Sequence, residues 1–118
     1  IGVDFYKGLT NKKDPTVSEL ETAIQDSFDK LVRPLQEKYN KPVVITETAY
    51  MSFDGENMPC NGDFRCQIGA FKWPEPPVDQ QEQADEFMAT FQFMNKTPWM
   101  YGNVLYSPGY KITGWNVK

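Results

Sequence analysis

The fold is decided by the stretch Lys41-Pro42-Val43-Val44-Ile45-Thr46-Glu47-Thr48-Ala49-Tyr50. Pro42 can open a strand, and the run from Val43 to Ile45 is typical of a parallel strand that is buried on both faces. Glu47 ends this apolar run at the carboxyl end of the strand, where a charge is costly for stability but well placed for chemistry. Two interpretations of Glu47 remain open on these residues alone: a catalytic carboxylate, or a salt-bridged or capping glutamate.

The residues before this strand predict a strand followed by a helix. Residues 1–6 alternate apolar and polar side chains, which indicates a first strand. A helix is expected from Thr16 or Ser18 to about residue 39, with a kink or break at Pro34. Its apolar stripe consists of Leu20, Ala23, Ile24, Phe28, Leu31, Val32 and Leu35. Strand, helix and strand in this order predict a βαβ unit with parallel strands and a right-handed crossover.

The residues after this strand predict a long loop, a helix and a third strand. Residues 51–78 show no sustained period and contain several glycines and prolines, and loops of this length tend to be functional. A helix is expected from about Asp79 to Asn95, capped by Asp79. Its predicted apolar face consists of Ala84, Phe87, Met88, Phe91 and Met94. The third strand is expected from Trp99 to Tyr106, which gives the order β-α-β-long loop-α-β and an α/β fold.

The composition excludes several classes of partner and of catalytic site. The 118 residues suit one small domain, and a net charge of -4 without a basic patch argues against nucleic acid and anionic membranes as partners. No apolar run approaches the ~18 residues of a membrane span. The chain has no histidine, which excludes a Ser-His-Asp triad and any histidine-ligated metal within these residues. The 16 carboxylates must therefore carry any acid–base work, and we expect no metal and no cofactor.

Four segments together resemble a known family. They are residues 1–6, residues 41–50, the sequence Asp79-Gln80-Gln81-Glu82-Gln83-Ala84, and the sequence Tyr101-Gly102-Asn103-Val104-Leu105-Tyr106. In order and spacing they resemble the sixth strand, seventh strand, seventh helix and eighth strand of retaining glycoside hydrolases of the large (β/α)8-barrel clan, particularly its mannanase-, galactanase- and cellulase-like branches. The resemblance implies that residues 1–118 are the carboxyl-terminal portion of a (β/α)8 TIM barrel, from strand six to after strand eight, truncated at both ends.

The resemblance also implies roles for individual residues. Glu47 matches the nucleophile that forms a glycosyl-enzyme intermediate, and Tyr6 matches the tyrosine that donates a hydrogen bond to it. A phenol donor beside the nucleophile keeps the carboxylate ionised. The alternative for Tyr6 is an ordinary half-buried strand residue.

Two departures from the family pattern matter. Tyr106 stands where the clan commonly has a tryptophan that stacks on the central sugar. The general acid/base glutamate of the clan ends the fourth strand, which this chain lacks, whereas a retaining mechanism needs two carboxyl groups about 5 Å apart. Asp4 is expected to lie deeper in the barrel and is a poor substitute. We therefore expect this chain to be inactive by itself.

The long loop carries three further candidates. Cys60 and Cys66 are the only cysteines, and they suit a local disulfide that stiffens an active-site rim in an oxidising compartment, with two free thiols as the alternative. Trp73 is the candidate for stacking on a sugar ring, or it packs beneath the loop in a satellite core. Asp54, Glu56 and Asp63 do not match a calcium-loop pattern and are expected to be solvated.

The leading hypothesis is therefore part of an extracellular or periplasmic retaining glycosidase that cleaves a β-linked poly- or oligosaccharide. Its partners would be the carbohydrate and the remaining barrel segments, from the same parent chain or from a second chain. One alternative keeps the fold without the reaction, as a carbohydrate-binding pseudo-enzyme or accessory fragment. Another is a small α/β interaction domain without a sugar function, which should be a self-sufficient monomer.

Overall fold

The computed structural model describes residues 1–59 and 77–106, which form a three-stranded parallel sheet and three helices. In chain order the elements are β1 (Gly2–Asp4), α1 (Val17–Leu31), α2 (Arg33–Tyr39), β2 (Val43–Thr48), α3 (Gln80–Lys96) and β3 (Met100–Leu105). The predicted α/β class is confirmed, and the described strands and helices follow the predicted order, whereas residues 60–76 of the predicted long loop lie outside the described residues. A closed barrel is not seen among the described residues, and Cys60, Cys66 and Trp73 lie outside them.

The decisive stretch forms the central strand. The sheet order is β1-β2-β3, and β2 pairs in parallel with both neighbours. Ile45 lies opposite Val3 on one side and Asn103 on the other. The register shifts after these residues, so that Asp4 lies opposite Glu47. These irregularities fall at the carboxyl end of β2, where a bulge can redirect a side chain.

The predicted break in the first helical segment is confirmed and has a local cause. Thr16 and Glu19 form a capping box that starts α1. The chain leaves α1 at Val32 and restarts as α2, with Pro34 in the first turn, where its missing N–H costs little. Asn40 ends α2 in the left-handed conformation, with φ of 48°.

The core lies between the sheet and helices α1 and α3. Phe28 of α1 is fully buried and contacts the rings of Phe5 and Phe93 at centroid distances of 4.9 and 4.8 Å. Val43 and Ile45 point into the same cluster, and α1 packs directly against α3. Because one cluster takes residues from both of these helices and from the sheet, α1 and α3 lie on the same face of the sheet.

The predicted apolar faces of the helices are partly wrong. Met88 and Phe91 of α3 are 51% and 42% exposed, and Ala84 is also exposed. The buried face of α3 is instead formed by Glu82, Glu86, Ala89, Thr90 and Phe93. Because two residues of this buried face are glutamates, the positions of the apolar residues in the sequence did not indicate it. Leu31 and Leu35 are exposed too: Leu31 is the last residue of α1, and Leu35 lies in α2, which begins anew after the break at residue 32.

The sequence also predicts that no segment is long and apolar enough to span a membrane. Within the part of the chain that the structure describes, no helix combines the length and apolar character needed to cross a membrane.

Candidate functional site

The candidate site lies where the three parallel strands end. Glu47 is the fifth residue of β2, Tyr6 follows β1 by two residues, and Tyr106 directly follows β3. The carboxyl ends of parallel strands meet at one edge of a sheet, so the pairing of the strands alone brings these three residues together. Three candidates that the sequence places far apart are thus neighbours in the fold.

The Tyr6 phenol lies within hydrogen-bonding reach of the Glu47 carboxylate. Burial raises the pKa of the Tyr6 phenol well above its usual range, and the Glu47 contact raises this pKa further. Tyr106 and Asp4 lie near enough to add to this effect. The phenol is therefore a donor at neutral pH, and it orients a half-buried carboxylate. A carboxylate fixed by a phenol donor suits nucleophilic attack on a carbon centre.

Backbone hydrogen bonds fix the three strand ends around Glu47. The Phe5 N–H donates to the Glu47 carbonyl at 2.8 Å, and the Tyr106 N–H donates to the Thr48 carbonyl at 2.9 Å. The buried Thr48 hydroxyl donates back to the Phe5 carbonyl at 2.8 Å. These bonds hold the segments that carry Tyr6 and Tyr106 on either side of Glu47.

Asp4 has a different role. Its side chain accepts a hydrogen bond from the Thr46 hydroxyl at 2.8 Å, and the residue is exposed. This bond joins β1 to β2, so Asp4 acts as a cross-strand partner.

The long loop is closed at its base. The Asp79 N–H donates to the Ser52 carbonyl at 3.1 Å, and the Asp54 N–H donates to the Pro77 carbonyl at 2.9 Å. Glu82 strengthens this closure, because its carboxylate accepts hydrogen bonds from the Gly55 and Asn57 backbone N–H groups at 2.9 and 2.8 Å. The first part of the loop is therefore anchored to the first turn of α3.

Two carboxyl groups beside the site are shielded from solvent. The expectation that Glu56 is solvated is wrong in part, because Glu56 is half-buried and lines a small cavity together with Glu86, which is only 1% exposed. Burial raises the pKa of Glu56 to about 8 and that of Glu86 to about 10, and mutual repulsion with Glu82 adds to both shifts. The turn formed by residues 52–58 is tied to the segment after β1, because the Leu9 and Thr10 N–H groups donate to the Asn57 carbonyl at 2.7 and 3.0 Å.

A second group of acids lies at the start of α3. Asp54, Asp79 and Glu82 each place one carboxylate oxygen within 4.8 Å of the others. Both oxygens of Glu82 already accept hydrogen bonds, and Asp79 caps α3 by accepting from the Gln81 and Glu82 N–H groups at 2.9 Å. These contacts give Asp79 and Glu82 structural roles in capping and loop closure.

Sequence reasoning missed Glu82 and Glu86. The Asp79 cap followed three residues later by Glu82 fits the pattern of a helix start, and it signals that Glu82 faces back toward the preceding loop. Glu86 lies one helical turn later on the same face. The spacing of these two acids could therefore have indicated the true buried face of α3.

Comparisons with known proteins add no assignment. A scan against protein-family models finds no match to this chain, and searches of curated proteins and of solved structures find none either.

We expect Glu86→Gln to flatten the decline of stability at alkaline pH. Below the ordinary pKa of 4.5 this carboxyl is protonated in both the folded and the unfolded chain, so its stabilising effect is complete. As the pH rises toward the folded-state pKa of about 10, only the unfolded chain releases the proton, and the free energy of unfolding falls. When the pH is raised from about 5 to about 9, the melting temperature of Glu86→Gln should therefore fall less than that of the wild type.

The matched control is Glu37→Gln, because Glu37 is exposed on α2 and pairs only with Arg33 among the described residues. This control should follow the wild type at every pH. If the melting temperatures of the wild type and of Glu86→Gln fell equally as the pH rises, this result would contradict the burial of an unpaired Glu86 carboxyl.

Proposed function

We propose that this chain is the carboxyl-terminal part of a (β/α)8 barrel of a retaining glycoside hydrolase, with Glu47 as the nucleophile. The observation that carries the proposal is the approach of the Tyr6 phenol to the Glu47 carboxylate at the carboxyl ends of parallel strands. This proximity supports the roles that the family resemblance implies for the two residues. Tyr106, on the other side of Glu47, provides an aromatic face for a sugar ring.

The architecture supports a barrel rather than a doubly wound sheet. The strand order follows the chain order, and α1 and α3 pack on each other on one face of the sheet. A doubly wound sheet places helices on both faces, whereas a barrel keeps every helix outside. A barrel would also explain why Thr46 and Tyr101 are exposed, since other strands would enclose that face of the sheet.

The unpaired edges of the sheet support the proposal that further strands lie beside β1 and β3. β1 and β3 each pair with one strand only among the described residues, and parallel sheets rarely leave such edges or one whole face bare. Asn103 of β3 has no hydrogen-bond partner for either side-chain polar atom within the described part of the chain. The remaining strands, from the same parent chain or from a second chain, would cover these groups.

The reaction follows from this arrangement. Glu47 attacks the anomeric carbon of a β-linked sugar, the bond to the leaving oxygen breaks, and a glutamate on another strand about 5 Å away donates the proton to that oxygen. The same second glutamate then takes a proton from water, and the hydroxide displaces Glu47 from the sugar. Tyr6 holds the attacking oxygen in position throughout. The second glutamate lies outside this chain, so the chain supplies only half of the catalytic pair.

The cellular context is part of the proposal. In an extracellular or periplasmic polysaccharide hydrolase, a disulfide between Cys60 and Cys66 would stiffen the rim of the site, and Trp73 would stack on a sugar ring. These three residues lie outside the described ranges, and their roles stay predictions.

Glu47→Gln should abolish hydrolysis in the protein that contains the complete barrel. The amide keeps the shape of the side chain but cannot form the glycosyl-enzyme intermediate, so we expect kcat to fall by about 10⁴-fold or more. The measurement is release of reducing ends from a panel of β-linked mannans, galactans and glucans. Glu37→Gln, on the exposed side of α2, is the control and should retain full activity.

If the wild type hydrolyses none of these substrates but binds one of them, the result favours the alternative that the chain belongs to a non-catalytic carbohydrate-binding pseudo-enzyme or accessory fragment. Hydrolysis that survives Glu47→Gln would contradict the assigned nucleophile.

Tyr6→Phe should lower kcat while leaving the fold intact. The variant loses one hydrogen bond to a charged group, which corresponds to about a 10- to 100-fold effect on the rate. The measurement is kcat and KM on the same substrate together with the melting temperature. Tyr39→Phe is the control, because Tyr39 is an exposed residue of α2. An unchanged kcat in Tyr6→Phe would show that the phenol does not position the nucleophile.

A further inference from the structure

The chain contains one sequence motif that the proposed reaction does not use, Asn95-Lys96-Thr97. An asparagine followed two residues later by serine or threonine, with any residue except proline between them, is the acceptor pattern for N-linked glycosylation. No other asparagine of the chain has serine or threonine two residues later. Because so short a motif also arises by chance, the position of Asn95 in the fold decides whether it can carry a glycan.

Asn95 lies on the face of α3 that points away from the sheet. It follows the fully buried Phe93 by two residues, which is about 200° around an α-helix. Asn95 is exposed, and its side chain makes no hydrogen bond within residues 1–59 and 77–106. In a barrel the helices form the outer ring, so this face would stay on the molecular surface. A glycan therefore has room both in the described fold and in a complete barrel.

The acceptor lies at the opposite end of the sheet from Glu47. Helix α3 ends at Lys96, and the chain enters β3 at Met100. Met100 lies opposite Val43 at the beginning of β2, whereas Glu47 lies near the end of this strand. A glycan on Asn95 would therefore leave the candidate site accessible to a substrate.

Two exposed apolar side chains lie beside the acceptor. Phe91 and Met88 precede Asn95 by four and seven residues, which places the three side chains along one face of the helix. Phe91 is 42% exposed and Met88 is 51% exposed. A glycan is bulky and solubilising, and its inner sugars would cover this apolar surface. The modification would thus account for two apolar side chains that the described fold leaves in water.

The residues after the acceptor limit the efficiency of glycosylation. The Thr97 hydroxyl is buried and donates to the Phe93 carbonyl at 2.8 Å, so the transfer must precede the packing of α3. Pro98 restricts the residue before it to extended conformations, and Thr97 has φ of -111° and ψ of 98°. Since this restriction also applies to the unfolded chain, we expect the glycan on only a fraction of the molecules.

We propose that Asn95 carries an N-linked glycan, added in a secretory compartment that contains an oligosaccharyltransferase. In this transfer the Asn95 amide nitrogen forms a bond to the anomeric carbon of an oligosaccharide that is carried on a polyprenyl diphosphate. The bond between that carbon and the phosphate oxygen breaks, the polyprenyl diphosphate leaves, and the amide nitrogen loses one proton to a base. The inference rests on the export that is part of the proposed function, and not on the role of Glu47.

The test uses the full protein, purified from the cells or medium in which it is naturally produced. The protein is treated with peptide-N-glycosidase in water labelled with heavy oxygen, and its peptides are analysed by mass spectrometry. The enzyme converts a glycosylated asparagine into an aspartate that contains one heavy oxygen atom. A sample incubated in the same water without the enzyme corrects for spontaneous deamidation.

Two variants, Asn95→Gln and Asn11→Gln, are then secreted from the same type of cell as the wild type. Asn11 is the matched control, because it is exposed and is also followed by a lysine, but it lacks a hydroxyl residue two positions later. The proposal expects enzyme-dependent heavy aspartate at position 95 in a fraction of the wild-type molecules. The intact mass of Asn95→Gln should lack this glycan, and Asn11→Gln should have the same glycan pattern as the wild type.

An unmodified Asn95 in the naturally produced protein would overturn the proposal. An unchanged glycan pattern in Asn95→Gln would also overturn it, because any glycan would then lie elsewhere. The outcome is separate from that of the proposed reaction. A glycan on Asn95 in a protein that hydrolyses no β-linked polysaccharide would support the inference and contradict the hydrolase, whereas hydrolysis by a protein with an unmodified Asn95 would do the reverse.

Discussion

The parallel pairing of β2 on both sides is the constraint on which the structure depends. Backbone hydrogen bonds along this strand bring the ends of β1 and β3 to the level of Glu47, and the bonds of Phe5 and Tyr106 to β2 lock them there. The site is therefore a consequence of strand register, since a parallel sheet aligns its carboxyl ends at one edge. The core around Phe28 holds α1 and α3 against the other face and keeps this register fixed.

The sequence predicts the elements well because their signals are local. The β-branched run of β2, the capping box at Thr16 and the break near Pro34 each act within a few residues. The buried face of α3 could not be predicted in the same way. Glu82 and Glu86 face the interior because the loop after β2 folds onto them and offers N–H donors and a cavity, and these are contacts between residues distant in the chain.

The residues of the candidate site also differ in how far the sequence could predict them. Glu47 and Tyr6 could be proposed from residue type, position at a strand end and family resemblance, and the fold brings the Tyr6 phenol within reach of the Glu47 carboxylate. Glu56 was misjudged because its sequence neighbours, glycine and asparagine, suggest an exposed turn, whereas Glu82 anchors this turn and the Glu56 side chain is half-buried. Glu47, Glu56 and Glu86 thus differ in environment: Glu47 lies beside the Tyr6 phenol, and the other two line a small cavity. Environment, not residue type, separates them.

The central claim is that Glu47 attacks the anomeric carbon of a β-linked sugar. The most direct measurement is covalent trapping of the complete protein with activated 2-deoxy-2-fluoro β-glycosides of gluco, manno and galacto configuration, followed by mass spectrometry of peptides. The account predicts one sugar adduct on the peptide that contains Glu47, and no adduct in Glu47→Gln. An adduct on another carboxylate, or hydrolysis of the matching polysaccharide with no trapped adduct on Glu47, would contradict it.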